Sequence, residues 1–157
     1  NSATVGKLLV DAGLGGMSGA QPKAAVIAGC IGVVAEINPK AVETRFSQGW
    51  VDEVYTDLNE ICLRIKQAQH KKEAVSIAYQ GNIVDLWEKF VEANIHVDIG
   101  SDQTSLHNPW AGGYYPVDMS VQEANEMMAN EPNKFKILVQ KTLLRHIKAI
   151  KNLSDKG

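Results

Sequence analysis

Three short stretches of this 157-residue sequence carry residue types suited to binding a phosphorylated ligand. The first is a glycine-rich run at residues 13–19, GLGGMSG, which follows a short apolar segment. Glycine lets the backbone approach a ligand closely, and the start of a following helix offers free N–H groups to a diphosphate. The spacing departs from a strict GxGxxG, which would need glycine in place of Ser18. A tight structural turn is therefore an equally good interpretation of the run on its own.

A glutamate strengthens the phosphate-loop interpretation. Glu36 ends the next predicted strand, about 20 residues beyond Gly16, where an acidic side chain can accept hydrogen bonds from the hydroxyls of an adenosine ribose. Its negative charge would repel a 2′-phosphate, which favours NAD over NADP. The alternative is an exposed glutamate at a strand end with no ligand.

The third stretch combines Gly81-Asn82 with the polar loop at residues 100–116, which has no periodic apolar pattern. A loop of this length without its own secondary structure is usually functional or disordered. His107 could equally be a local cap of the loop. The two tyrosines Tyr114 and Tyr115 offer flat apolar surfaces with polar tips, or simply anchor the loop to the domain.

Strand and helix patterns alternate along most of the chain. Strands are predicted at residues 7–12, 32–37, 54–55, 74–79 and 96–99, and helices at 20–30, 40–48, 58–69 and 83–93. Residues 120–153 are predicted to be helical, with Ser120 and Glu123 as a capping box and a second helix from Pro132. This alternation predicts an α/β fold, a parallel sheet with helices on both faces plus C-terminal helices, in a single domain covering residues 1–157.

Composition narrows the function classes. A net charge of −2 gives no general attraction to nucleic acid or to an anionic membrane. With no run of about 18 apolar residues and no signal segment, a cytoplasmic protein is expected. Cys30 and Cys62 form no CxxC pair and have no nearby histidine at zinc spacing, so buried free thiols are expected and no metal site. The residues show no nucleophile–base pair.

The motifs at residues 13–22, 76–82 and 101–109 resemble those of the urocanase family, and the resemblance covers nearly the whole chain. Residues 110–116 resemble the longer loop of the eukaryote-like branch. The resemblance implies the Rossmann-like, NAD-binding domain of urocanate hydratase. This enzyme of histidine degradation adds water to urocanate to give 4-imidazolone-5-propanoate. The resemblance also implies that NAD acts as an electrophile and not as a hydride carrier.

The resemblance also assigns cofactor-binding residues by motif. Gly16, Met17 and Ser18 are expected at the diphosphate and Glu36 at the adenosine ribose. The rest of the expected site comprises two residues lining the crevice, five around the nicotinamide half and two forming its wall: Asn82, Ile83, Gln103, Thr104, Ser105, Leu106, His107, Tyr114 and Tyr115. No catalytic residue is expected in this chain, because the family's core region supplies the substrate site. The chain is expected to be a fragment of a longer, homodimeric enzyme, and the isolated fragment is expected to be inactive.

One position departs from the family pattern. Bacterial members have an arginine five residues after the acidic residue, where this chain has Ala41, and the adjacent Lys40 is a candidate substitute. Two other functions stay open from the residues alone. One is the cofactor domain of a nicotinamide-dependent oxidoreductase, and the other is a non-enzymatic module that keeps the fold without the cofactor.

Overall fold

A parallel β-sheet forms the centre of the computed structural model, which describes residues 3–14, 19–101 and 115–156. Its strands in these ranges are β1 (Leu8–Ala12), β2 (Ile31–Glu36), β3 (Glu53–Tyr55), β4 (Val75–Gln80) and β5 (Ile99–Gly100). They lie in the order β3-β4-β2-β1-β5, and every pairing is parallel. The predicted parallel sheet is confirmed.

Helices connect the strands and follow the last of them. They are α1 (Gln21–Ile27), α2 (Pro39–Ser47), α3 (Leu58–Lys71), α4 (Ile83–Ala93), α5 (Val121–Asn130) and α6 (Pro132–Asp155). The capping box of Ser120 and Glu123 is present at the start of α5, as predicted. α3 is followed by its C-cap residue Lys72, which has a left-handed φ of 53° and a side chain exposed to solvent.

The two faces of the sheet bury different sets of side chains. Val33 and Ile77 point into the larger core cluster, together with residues of α3, α4, α5 and α6. Their chain neighbours Val34 and Ala78 point into a smaller cluster that includes Val42 of α2. Because alternate residues of a strand face opposite sides, these clusters place helices on both faces of the sheet, as the sequence predicted.

The prediction for the fifth strand was wrong in its position. A strand was expected at residues 96–99, whereas β5 contains only Ile99 and Gly100. Asp98 explains the difference, because its carboxylate Oδ2 accepts the N–H of Leu8 at 2.9 Å while its own N–H donates to the Leu8 carbonyl at 3.0 Å. A side-chain oxygen thus takes the place of a main-chain acceptor at the start of this edge.

The first helix is also shorter than predicted. It was expected at residues 20–30 but ends at Ile27, and Gly29 follows with a φ of +85°. That conformation turns the chain directly into β2, so residues 28–30 serve as the connection.

β1 is the strand at which the order of the sheet reverses. β2 lies on one side of it and β5, reached last along the chain, lies on the other. In open parallel sheets, ligands bind in the crevice beyond the carboxyl ends of the strands at such a switch point. Gly13 and Leu14, the first two residues of the glycine-rich run, follow β1 directly and lie at this crevice. None of the helices in the described ranges is both long and apolar enough to cross a membrane.

Candidate dinucleotide-binding site

The carboxyl ends of β1 and β2 are joined by main-chain contacts. Gly13 donates its N–H to the carbonyl of Ala35 at 2.8 Å and has a φ of +91°, a conformation that L side chains disfavour. This turn directs the chain out of the sheet at Leu14, whose side chain is only 1% exposed in the smaller core cluster. The start of the glycine-rich run is therefore fixed to the sheet.

Glu36 connects three chain segments at this edge. Its Oε1 accepts the N–H of Leu14 at 2.9 Å and its Oε2 accepts the N–H of Asn38 at 3.0 Å. Its main-chain carbonyl accepts the N–H of Gly81 at 2.9 Å. A carboxylate offers about four acceptor positions, so these two N–H groups leave acceptor capacity for the hydroxyls of a ribose.

Asn82 is buried, with 9% of its surface exposed, and uses both ends of its amide. Its Oδ1 accepts the N–H of Val84 at 2.9 Å and so caps α4, while its Nδ2 donates to the carbonyl of Tyr115 at 2.9 Å. The next residue, Ile83, has its side chain in the larger core cluster. Contacts from Ile83 to a ligand would therefore come mainly from its backbone.

Tyr115 is held at both its carbonyl and its hydroxyl. Besides the bond from Asn82, its hydroxyl donates to Oδ1 of Asn125 in α5 at 3.4 Å. These contacts agree with the interpretation in which this tyrosine anchors the loop that ends here. The other predicted site residues lie outside the described residues: Gly16, Met17, Ser18, Gln103, Thr104, Ser105, Leu106, His107 and Tyr114.

Two charged residues near the crevice were missed by the sequence analysis. Asp11 of β1 is 1% exposed, and its Oδ1 accepts the N–H of Ala12 at 2.8 Å. Its signal was a single acid within an otherwise apolar strand. Arg45 of α2 donates from Nε to the carbonyl of Leu14 at 3.0 Å. Its signal was its position three residues after Val42, on the inward face of the helix.

Lys40 is the candidate substitute for the arginine of bacterial family members, and it lies elsewhere on α2 than Arg45. Lys40 is exposed in the first turn of α2, and Ala41 packs against the smaller core cluster. Within the described residues, no group of three or more histidine, cysteine, aspartate or glutamate side chains could hold a metal ion. Cys30 and Cys62 are buried free thiols, as expected, and burial raises the pKa of the Cys62 thiol.

A second group of charges lies away from the crevice, at β3 and α3. Arg64 donates from Nε to Glu53 at 2.8 Å and from Nη2 and Nη1 to Glu73 at 2.8 and 2.9 Å. The hydroxyl of Tyr55 also donates to Glu53, at 2.7 Å. The hydrogen bond from Arg64 is the main cause that holds the pKa of Glu53 below its usual value, against the effect of burial. This group ties a strand to a helix at the β3 edge of the sheet, where β4 and β2 separate it from β1.

Comparison with known proteins identifies the family of the chain. A family model described as the urocanase Rossmann-like domain matches residues 1–157. A protein named probable urocanate hydratase from Dictyostelium discoideum is 59% identical over 154 residues, which is 98% of this chain. A second probable urocanate hydratase, from Caenorhabditis elegans, is 56% identical over 97% of the chain. The human urocanate hydratase is 52% identical over 96% of it.

The chain spans 23% of the length of these relatives. The matched family model covers the whole chain, and these three relatives are eukaryotic, in agreement with the eukaryote-like branch predicted from residues 110–116. The fold, the glycine-rich run and the matches together show that the chain belongs to the urocanase family, as its Rossmann-like domain.

Proposed function

We propose that residues 1–157 form a single NAD-binding domain of a urocanate hydratase. The observation that carries the proposal is the position of Glu36, whose carboxylate lies beside the first residues of the glycine-rich run at the switch point of the sheet. An acidic acceptor at the end of the second strand is the feature that recognises an unmodified adenosine ribose. Its spare acceptor capacity fits the ribose diol of NAD and opposes the extra phosphate of NADP.

The order of the sheet divides the roles of the loops. Loops after β2 and β4, which begin at Ile37 and Gly81, lie on the adenosine side of β1. The loop after β5 begins at Ser101 on the other side, and we propose that it holds the nicotinamide half. In this proposal Gly16, Met17 and Ser18 bind the diphosphate, Gln103, Thr104, Ser105, Leu106 and His107 surround the nicotinamide, and Tyr114 and Tyr115 close the wall.

The named activity of the relatives gives the proposed reaction. Urocanate hydratase adds water to urocanate, and bound NAD would supply an electrophilic ring to the substrate's imidazole. Within the described residues, the acidic and basic groups at the crevice contact main-chain partners, which suits orientation of a cofactor. We therefore assign this domain the binding and placement of NAD, and assign the binding of urocanate to other parts of the longer enzyme.

Calorimetric titration of the chain with NAD and NADP tests the cofactor proposal. We expect NAD to bind with a Kd at least about tenfold lower than that of NADP, because Glu36 would repel the 2′-phosphate. Equal affinity for the two nucleotides would contradict the role of Glu36. Preference for NADP would contradict the cofactor assignment itself.

A domain exchange tests the reaction. Residues 1–157 would replace the matching segment of the human urocanate hydratase, and turnover would be followed by the loss of urocanate's ultraviolet absorbance. We expect the chimera to convert urocanate and the same chimera with Glu36→Lys to lose most of that activity. A matched chimera with Glu53→Lys controls for a change of charge in the same sheet away from the crevice. A folded chimera that holds NAD but does not hydrate urocanate would contradict the proposal.

A further inference from the structure

Arg45 contacts both described ends of the glycine-rich run. Its Nε donates to the carbonyl of Leu14 at 3.0 Å. On the other side of the run, its guanidinium packs directly on Gly19. A methyl group added there would lie 2.6 Å from Nε and 2.7 Å from Cζ. One side chain thus lies against residues on both sides of the segment at residues 15–18.

The guanidinium is fixed by its own helix as well. Nη1 donates to Oε1 of Gln48, one turn further along, at 3.0 Å. Beneath it, the smaller core cluster buries Leu14 together with Val42, and Val42 lies three residues before Arg45 on the same face of α2. Leu14 is therefore held at its N–H by Glu36, at its carbonyl by Arg45 and at its side chain by the core.

We infer that Arg45 is the positioning residue of the dinucleotide loop and the source of positive charge beside the cofactor's diphosphate. This inference rests on the proposed function. It adds a cation at the diphosphate, separate from the adenosine-side contact that the family pattern places at Ala41 with Lys40 as the candidate substitute. Arg45 follows Ala41 by four residues, so the charge lies on the same face of α2, one turn later. Arginine always carries its charge, and its planar donor group suits phosphate oxygens better than lysine does.

The test is a set of Arg45 variants in the chain, with NAD, ADP and adenosine as probes. Arg45→Met removes the charge and keeps the stem, and Arg45→Lys keeps the charge without the planar group. We expect Arg45→Met to lower the affinity for NAD and ADP by about tenfold or more and the affinity for adenosine by less than about twofold. Arg45→Lys should fall between. Lys40→Met is the matched control on the same helix and should change NAD affinity by less than about twofold.

Gly19 provides an independent check. Gly19→Ala displaces the guanidinium, because the added methyl group occupies its place. Gly19→Ala should lower NAD affinity in the wild-type background and cause little further loss of affinity in the Arg45→Met background. A double-mutant cycle measures this difference. Additive losses would overturn the coupling between the two residues. An equal loss of adenosine and NAD in Arg45→Met, or no loss of NAD, would overturn the role at the diphosphate.

The failure of this inference can be separated from the failure of the proposed function. If the wild-type chain binds neither NAD nor ADP, the proposed function fails for the chain. Hydrogen exchange of the chain without ligand then tests the positioning role of Arg45 independently of nucleotide binding. We expect faster exchange of the Leu14 and Gly19 amides in Arg45→Met than in wild type or in Lys40→Met, with the circular dichroism unchanged. Unchanged exchange at both amides would overturn the positioning role.

Discussion

Two glutamates of the same sheet are held in opposite ways. Glu36 at the end of β2 accepts from the main-chain N–H groups of Leu14 and Asn38, and the described residues provide it no cationic contact. Glu53 at the start of β3 accepts from the guanidinium of Arg64 and from Tyr55. Main-chain donors orient a carboxylate while leaving its charge uncompensated, whereas a bidentate arginine compensates it. The first arrangement leaves an acceptor for a ligand, and the second stabilises the fold.

The sharpest way to break this comparison is to neutralise each glutamate. Glu36→Gln keeps the shape but leaves one acceptor oxygen for two N–H donors and removes the charge that discriminates against NADP. We expect NAD affinity to fall by about tenfold to a hundredfold, which is about 1.4 to 2.8 kcal/mol, and the preference over NADP to narrow. Glu53→Gln is the control and should leave NAD affinity within about twofold. Equal effects of the two variants in calorimetry would contradict the comparison.

A substitution at Asn82 tests how much the stability of the fold depends on a side chain at the crevice that hydrogen-bonds to the main chain. Asn82→Ala removes the cap of α4 and the bond to the Tyr115 carbonyl, each worth about 1 kcal/mol. We expect the free energy of unfolding to fall by about 2 kcal/mol in urea denaturation. Asn38→Ala is the matched control, since Asn38 caps α2 at an exposed position through one bond to Lys40. It should cost about half as much, and equal losses would refute the added role of Asn82.

Arg64→Met tests the other side of the comparison. It leaves Glu53 and Glu73 close together without their shared cation. Because these side chains are partly exposed, we expect a loss of about 1 to 2 kcal/mol, between the values for surface and buried ion pairs. NAD affinity should not change by more than about twofold. The exposed pair of Lys134 and Glu131 offers a control, because Lys134→Met should cost less than about 0.5 kcal/mol.

The smallest of these effects is a dependence on pH. Arg64 holds the folded-state pKa of Glu53 below the usual 4.5. A lowered pKa in the folded state contributes stability above the unfolded-state pKa, and that contribution is lost as the pH falls through the folded-state pKa. The thermal unfolding temperature of the wild type should therefore fall more steeply below about pH 4.5 than that of Arg64→Met. Parallel declines in the two proteins would count against the assignment.

Local sequence patterns predicted most of the sheet for a physical reason. β1, β2 and β4 are apolar segments bounded by glycine or polar residues, and burial on both faces leaves little alternative to a strand. β5 was misplaced because Asp98 bonds to Leu8 with its side chain, a long-range contact that no local pattern reveals. Glu36 was predicted as a ligand acceptor from its distance along the chain. Its bonds to Leu14 and Asn38 required the folded geometry.

Arg45 shows the limit of motif spacing most clearly. The glycine-rich run and Arg45 are separated by a helix and a strand, and only the way α2 lies on the sheet brings the guanidinium against Gly19. The family pattern directed attention to Ala41 and Lys40 instead. Residue type and spacing therefore predicted the crevice and its acid, while the position of Arg45 beside Leu14 and Gly19 depended on tertiary packing.

The left-handed end of α3 has a practical consequence for engineering this domain. Lys72 adopts a φ of 53° that costs an ordinary side chain about 1 kcal/mol and costs glycine almost nothing. Lys72→Gly should therefore raise the melting temperature by a few degrees, as scanning calorimetry would show. Lys72 lies at the end of the sheet where β4 begins, remote from Glu36 and Asn82, so the change should leave nucleotide affinity untouched. The thermal stability of the domain can therefore be increased at this position without changing the residues that bind the ligand.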